Sequence, residues 1–231
     1  MASPAAALNE TVRRALAEDL GDPDLDLARD VTTSSSVPAG RRGRARLFAK
    51  SVGVLAGVAC AEAAFRALDP DCGVEVLRRD GVAFATGDDV LLVEGSMRAL
   101  LAAERTALNF VQRLSGVATL TRRFVDAVAG TGARILDTRK TAPGLRALEK
   151  AAVVAGGGHN HRFGLFDQVL LKENHFASAR PTAFEDVVRR CAAGLEAPVV
   201  VEARTLDEAV LALRGGAGVA LPASSEPGDP L

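Results

Sequence analysis

Hydrophobic residues return at helical spacing over residues 9–20, where Val12, Leu16 and Leu20 share one side, with Asn9 as the candidate N-cap and Gly21 as the stop. The next stretch, GDPDLDLARDVTTSSSVP, is dense in turn-forming residues and reads as a connecting loop. Two short strands broken at Ser51 and Gly53 are expected between residues 44 and 55, followed by a helix over 59–68. Short strands over 74–77 and 90–94 come next, the second introduced by the turn former TGDD. These elements predict a small α+β domain.

The longest helical pattern runs from residue 97 to 128, with Leu101, Leu108, Val111, Leu114, Leu120, Phe124 and Val128 at three-to-four spacing. The Ser115-Gly116 pair is expected to break or kink it into two helices. A domain boundary is placed near this helix, giving domains 1–107 and 108–231. Beyond it, strands alternate with helices: strand 134–136, helix 145–154, strand 168–171, helix 183–193, strand 198–201, helix 206–213 and strand 219–221. Repeated strand-helix units predict parallel strands in a wound sheet or barrel.

Charge changes this picture by singling out one third of the chain. The segment from Arg105 to His175 holds eleven Lys or Arg against five Asp or Glu, while the remainder holds seventeen against twenty-four. All three histidines, His159, His161 and His175, fall there too. In a protein of net charge -1, such a basic stretch points to a polyanionic ligand. Nucleic acid is a poor candidate, because no sustained Lys/Arg run and no Trp or Tyr supplies a broad basic surface or a stacking platform. Three cysteines without a CxxC spacing provide neither a disulfide framework nor a zinc site, and a reducing cytoplasm is the expected setting. The N-terminal twenty residues carry acids where a signal peptide has its apolar core, and nowhere do eighteen apolar residues run together, so neither export nor a membrane span is expected.

In a parallel barrel the residues just past the C-terminal strand ends form the site. Asp137-Thr138-Arg139-Lys140, Lys172-Glu173-Asn174 and Glu202 all fall at such positions. Gly156-Gly157-Gly158 allows either a close backbone approach to a ligand or a simple turn, and Asn160, His161 and Arg162 follow it with donors. Arg105, mid-helix, is equally readable as a solvated residue, and Glu202 alone is unremarkable. Arg139 beside Lys140 suits an anion, since adjacent cations repel unless paired or solvated. The histidine spacing matches no zinc template. Two chemistries remain: a Schiff base on Lys140 or Lys172, or group transfer between a phosphorylated sugar and a carboxylated acceptor.

The segments AERTALNFVQRLSGVAT, DTRKTAPGLR, GGGHNHRFGLFDQVLLKENH and VVVEARTLDEA, in this order, closely resemble the quinolinate phosphoribosyltransferase family, also called nicotinate-nucleotide pyrophosphorylase (carboxylating). EDLG, DVTT, GVLAG and DGVAFATGDDV are similar to its N-terminal domain, so the likeness covers about residues 10–216. The resemblance implies the type II phosphoribosyltransferase fold, an α/β class with an N-terminal α/β sandwich and an incomplete parallel α/β barrel. It implies Mg²⁺-dependent phosphoribosyl transfer from phosphoribosyl pyrophosphate (PRPP) to quinolinate, with loss of CO₂, in de novo NAD biosynthesis. It further implies a homodimer or larger assembly. By matching motif, Arg105 from the neighbouring subunit, Arg139, His161, Arg162 and Lys172 would hold the quinolinate carboxylates. Thr138, Lys140 and Glu202 would contact the donor or its metal, with Lys140 and Glu202 as the catalytic pair and Glu202 reaching the metal through water. No lysine imine is then needed.

After Ala217 the likeness fails, and the family's Leu-Asp-Asn type strand end is matched by Pro222 and Ala223. The expectation is a chain truncated or diverged after about residue 217, missing the last barrel strands. A catalytically impaired homologue that only binds quinolinate or a related acid is the alternative reading.

Overall fold

The computed structural model describes residues 4–194 and 198–222. The chain divides into two compact units, Met1–His161 and Arg162–Leu231. Residue 107 lies within a continuous helix of the first unit.

The first unit opens with α1 (Pro4–Leu20), which starts earlier than the cap at Asn9 would have it, and ends at Gly21 with φ +64°. The segment expected to be a plain loop holds a 3₁₀ turn (Leu27–Arg29) and a short helix α2 (Val31–Ser36). The reason is Asp30, whose side chain accepts from the Thr33 amide and so satisfies a free donor of the first turn. Strand β1 (Arg42–Phe48) then runs into β2 (Gly53–Val54), helix α3 (Val58–Leu68), β3 (Gly73–Val76), β4 (Ala83–Phe84) and β5 (Asp89–Ser96). β1, β5 and β3 form an antiparallel sheet in that order, and β2 pairs with β4. Helix α3 begins at Gly57, in the left-handed region, and is capped from a distance: both Asp80 carboxylate oxygens accept, one from Gly57 and one from Val58.

Helix α4 (Met97–Ala127) is unbroken, against the expected kink at Ser115-Gly116. Ser115 is buried, and its hydroxyl accepts from the Ala56 amide and donates to the Ala56 carbonyl. The pair therefore ties the helix to the strand region instead of ending it. The apolar face is buried as expected at Val111 and Leu114 but otherwise differs from the expected one. Leu101, Leu120 and Phe124 are exposed, whereas Leu100, Ala103, Ala107, Phe110, Val111, Leu114 and Ala118 are buried with residues of α1, α3 and β5. Small alanines on the inner face let α3 and β5 approach closely, so side-chain size misidentifies the inner face. Cys60 and Cys72 belong to this core. Burial pushes the Cys60 thiol up to about 12.

The strand expected over 134–136 is a single parallel bridge, Leu136 with His159. It stops because the Asp137 carboxylate, and not a backbone carbonyl, receives the next amide, that of His161. Helix α5 (Arg146–Ala155) separates the two partners in sequence.

The second unit contains β6 (Val169–Leu171), α6 (Glu173–Ser178), α7 (Phe184–Gly194), β7 (Val199–Ala203), α8 (Leu206–Arg214) and β8 (Val219–Pro222). β6, β7 and β8 are parallel neighbours in that order, as the strand-helix alternation predicts. Their core is Leu171, Val187, Val188, Val199, Val201, Ala212 and Ala217. Pro222 ends β8 and pairs with Ala203. Position 223, matched to the family's aspartate, lies outside the described residues.

Candidate active site

In the first unit, the segments 137–142 and 156–161 are both bonded to α5. The Lys150 ammonium lies 2.5 Å from Asp137 Oδ1 and donates to the His161 carbonyl at 2.9 Å. The His161 amide donates to Asp137 Oδ1 at 2.8 Å. The Asn160 amide, oriented to satisfy both of its ends, donates to Asp137 Oδ2 at 2.7 Å and to the Lys150 carbonyl at 3.1 Å. One helical position earlier, Glu149 accepts from Arg113 Nη2 at 2.6 Å and from the Ala142 amide at 3.1 Å. Arg146 donates to Thr141 Oγ1 and to the Arg139 carbonyl.

On this frame Thr138 and Lys140 are exposed, and the Thr138 hydroxyl accepts from the Lys140 amide. Arg139 is half-buried, and its Nε is buried without a hydrogen-bond partner among the described residues. A desolvated guanidinium donor left open suits an incoming anion. His161 is half-buried in the same unit, and Arg105 is exposed on α4. The glycine run has a structural task. A Cβ at Gly156 would stand 2.5 Å from the Ala118 carbonyl, and one at Gly158 would stand 2.9 Å from Thr121 Cγ2, so the run packs against α4.

In the second unit, Lys172 and Glu202 follow from the parallel register: Leu171 pairs with Val201, which puts the next residues of β6 and β7 side by side at the C-terminal strand ends. Their side chains form an ion pair that is 46% and 30% exposed, respectively. Arg162 is half-buried in this unit and donates to the Gln168 carbonyl. The Asp167 carboxylate gathers the Phe163 and Gly164 amides just beyond it. Glu173 and Asn174, read as part of a strand-end loop, open helix α6. His175 Nδ1 accepts from the Lys172 amide there, fixing the turn that carries Lys172.

The predicted residues thus fall into two groups: Thr138, Arg139, Lys140 and His161 on the α5-bound segments of the first unit, and Arg162, Lys172 and Glu202 in the second. Arg105 stands on a separate helix. Sequence reading passed over Glu149 and Lys150. Their signal is a pair of opposite charges inside the apolar run of a short helix, between Leu148 and Ala152. Among the described residues, no cluster of three His, Cys, Asp or Glu is arranged to hold a metal ion. No helix there is long and apolar enough to cross a membrane.

Comparisons with known proteins bear on this arrangement. The family described as Quinolinate phosphoribosyl transferase, N-terminal domain, matches residues 30–115, and the corresponding C-terminal domain matches 117–221. The Nicotinate-nucleotide pyrophosphorylase [carboxylating] of Mycobacterium leprae is 44% identical over 208 residues, covering 87% of this chain and 70% of that protein. The chloroplastic protein of the same name from Arabidopsis thaliana is 41% identical over 210 residues, and the match spans 89% of this chain but 58% of the relative. The solved structure of NadC from Streptococcus pyogenes superposes with a TM-score of 0.86 at 35% identity, over 96% of this chain and 76% of that one. Nicotinate-nucleotide pyrophosphorylase from Francisella tularensis gives 0.87 at 32%, over 97% and 77%. The fold is therefore the mixed α/β one of these structures, and the chain belongs to the quinolinate phosphoribosyltransferase family.

Proposed function

We propose that this chain transfers a phosphoribosyl group from PRPP to quinolinate with decarboxylation, giving nicotinate mononucleotide, pyrophosphate and CO₂. The observation that carries the reading is the pairing of Lys172 and Glu202 at adjacent C-terminal ends of the parallel strands β6 and β7, where barrel-type folds build their sites. The chain spans 58% of its Arabidopsis relative and 70% of its mycobacterial one, and the activity is proposed on the part they share.

Quinolinate carries two carboxylates, and Arg139, His161, Arg162 and Lys172, with Arg105 from the neighbouring subunit, are the donors assigned to them. The unpartnered Arg139 Nε supports this assignment. The pyridine nitrogen bonds to the anomeric carbon as pyrophosphate departs. Fixed cations favour that step because they meet charge on both reactants without reorganising. The ring nitrogen, now cationic, accepts the electrons released when the adjacent carboxylate leaves as CO₂, and a proton replaces it on the ring carbon. Thr138, Lys140 and Glu202 are assigned to the donor, with Lys140 and Glu202 as the catalytic pair.

Mg²⁺ is assigned as the cofactor. It binds through one or two carboxylates, water and substrate phosphates, so Glu202, a partly exposed carboxylate at a strand end, suits a metal that arrives with PRPP. There it would neutralise the pyrophosphate, with Glu202 holding it through water.

The working form is proposed to be a homodimer or an assembly of dimers. Exposed Leu120 on α4 borders a groove of about 550 Å³ with Phe48 and Val52, an apolar surface that a second copy would cover. A reducing cytoplasm suits the free Cys60, Cys72 and Cys191. The test is to incubate the chain with quinolinate, PRPP and Mg²⁺ and follow nicotinate mononucleotide, omitting quinolinate as control. Product is expected. Quinolinate binding without product would replace the enzyme reading with that of an acceptor-binding homologue.

A further inference from the structure

Helix α5 buries two successive charged residues, Glu149 and Lys150, which are 8% and 2% exposed. A buried ion pair is a weak device for stability, because desolvation offsets most of the attraction, and an apolar pair of similar volume holds a fold as well. The Lys150–Asp137 pair, with side chains 3% and 5% exposed, therefore needs another explanation. Its geometry supplies one. The ammonium bonds to two segments at once, the Asp137 carboxylate and the His161 carbonyl. Asp137 in turn collects the His161 amide and the Asn160 side chain, so every bond of the cluster joins segment 137–142, segment 156–161 or α5. Two of those bonds end on the backbone of His161.

We propose that Lys150 is a positioning residue for phosphoribosyl transfer: it locks Thr138, Arg139 and Lys140 in fixed register with His161, touching neither substrate itself. This rests on the functional reading above. Methionine would fill the same volume but could hold neither Asp137 nor the His161 carbonyl. Because the segments carry groups assigned to both donor and acceptor, loosening them costs alignment, and a misplacement near 1 Å lowers turnover by about 100-fold.

The experiment compares K150M with the double variant K150M/D137N, which removes both charges and keeps an acceptor for the His161 amide. K150M is expected to melt below the parent chain, because Asp137 is left as a buried unpaired charge. The double variant is expected to recover most of that melting temperature while its kcat, at saturating quinolinate and PRPP, stays about 100-fold down. Recovery of kcat together with melting temperature would show that Lys150 only balances charge and would overturn the proposal. A second measurement needs no variant: the His161 amide of the parent chain is expected to exchange with deuterated water as slowly as the α5 amides. Exchange at the rate of an open loop would overturn the proposal by itself. A parent chain with slow exchange but no turnover would instead refute the transferase reading and leave the locking role in place.

Discussion

Lys150 and Lys172 are both lysines paired with a carboxylate and flanked by apolar residues, yet the first pair is sealed from water and the second is open to it. The sealed pair is bonded within the fold, to the His161 backbone and the Asn160 side chain, so it acts on a ligand only through the segments it holds. The open pair can exchange partners at small cost, because an exposed ion pair contributes no more than about 1 kcal/mol. A charged ligand competes easily for Lys172 and Glu202 and not at all for Lys150 and Asp137. Burial, more than residue type, separates architecture from chemistry here.

The widest separation between the two is expected from Lys172→Ala. Turnover should fall about 1,000-fold, near 4 kcal/mol of transition-state stabilisation, while the melting temperature stays close to that of the parent. Steady-state kinetics beside a thermal melt reads both, and unchanged turnover would remove Lys172 from the site. The next effect falls on the locked region. Gly156→Ala puts a methyl group against the Ala118 carbonyl, which belongs to helix backbone and cannot swing aside, and should cost about 3 kcal/mol in urea unfolding. Glu149→Ala removes the acceptor for Arg113 and leaves the Ala142 amide unbonded, for a loss of about 2 kcal/mol by the same assay. Should Glu149→Ala unfold at the parent's urea midpoint, the contrast between locked and open charges would hold for Lys150 alone.

The smallest effect lies away from both regions. Asp30→Ala should cost about 1 kcal/mol through loss of the α2 cap. Hydrogen bonds from the Thr33 hydroxyl and then its amide hold the Asp30 carboxyl below its ordinary value. Its folded-state pKa is depressed, so the parent's advantage over the variant should be full above pH of about 4 and vanish as pH falls through the lowered value. Urea midpoints for both proteins from pH 7 down to 3 read this directly, and a gap that widened in acid would contradict the assignment.

Much of this molecule was legible along the chain because it depends on periodicity. The β6–α7–β7–α8–β8 alternation, and the placement of Lys172 and Glu202 at strand ends, follow from apolar runs ending in charge. What escaped depends on partners distant in sequence. Ser115 reads as a breaker until Ala56 is known to engage both of its bonding capacities. The inner face of α4 is marked by alanines, which carry too little apolar bulk to stand out beside Leu101 or Phe124. Helix α2 lies within a polar stretch and is set by one cap at Asp30. Glu149 and Lys150 show in the sequence only as opposite charges inside an apolar run, because it is the fold that brings Arg113, Asp137 and His161 to them.

The burial of Cys60 and Cys72 has a practical consequence for experiments on the intact chain. With both thiols inside the core, and Cys60 protonated far above neutral pH, thiol-directed reagents should react at Cys191 on α7 alone. The wild-type sequence thus carries a single labelling handle in its second unit, and a fluorophore there would report on the half of the protein that holds Lys172 and Glu202 without any substitution being made.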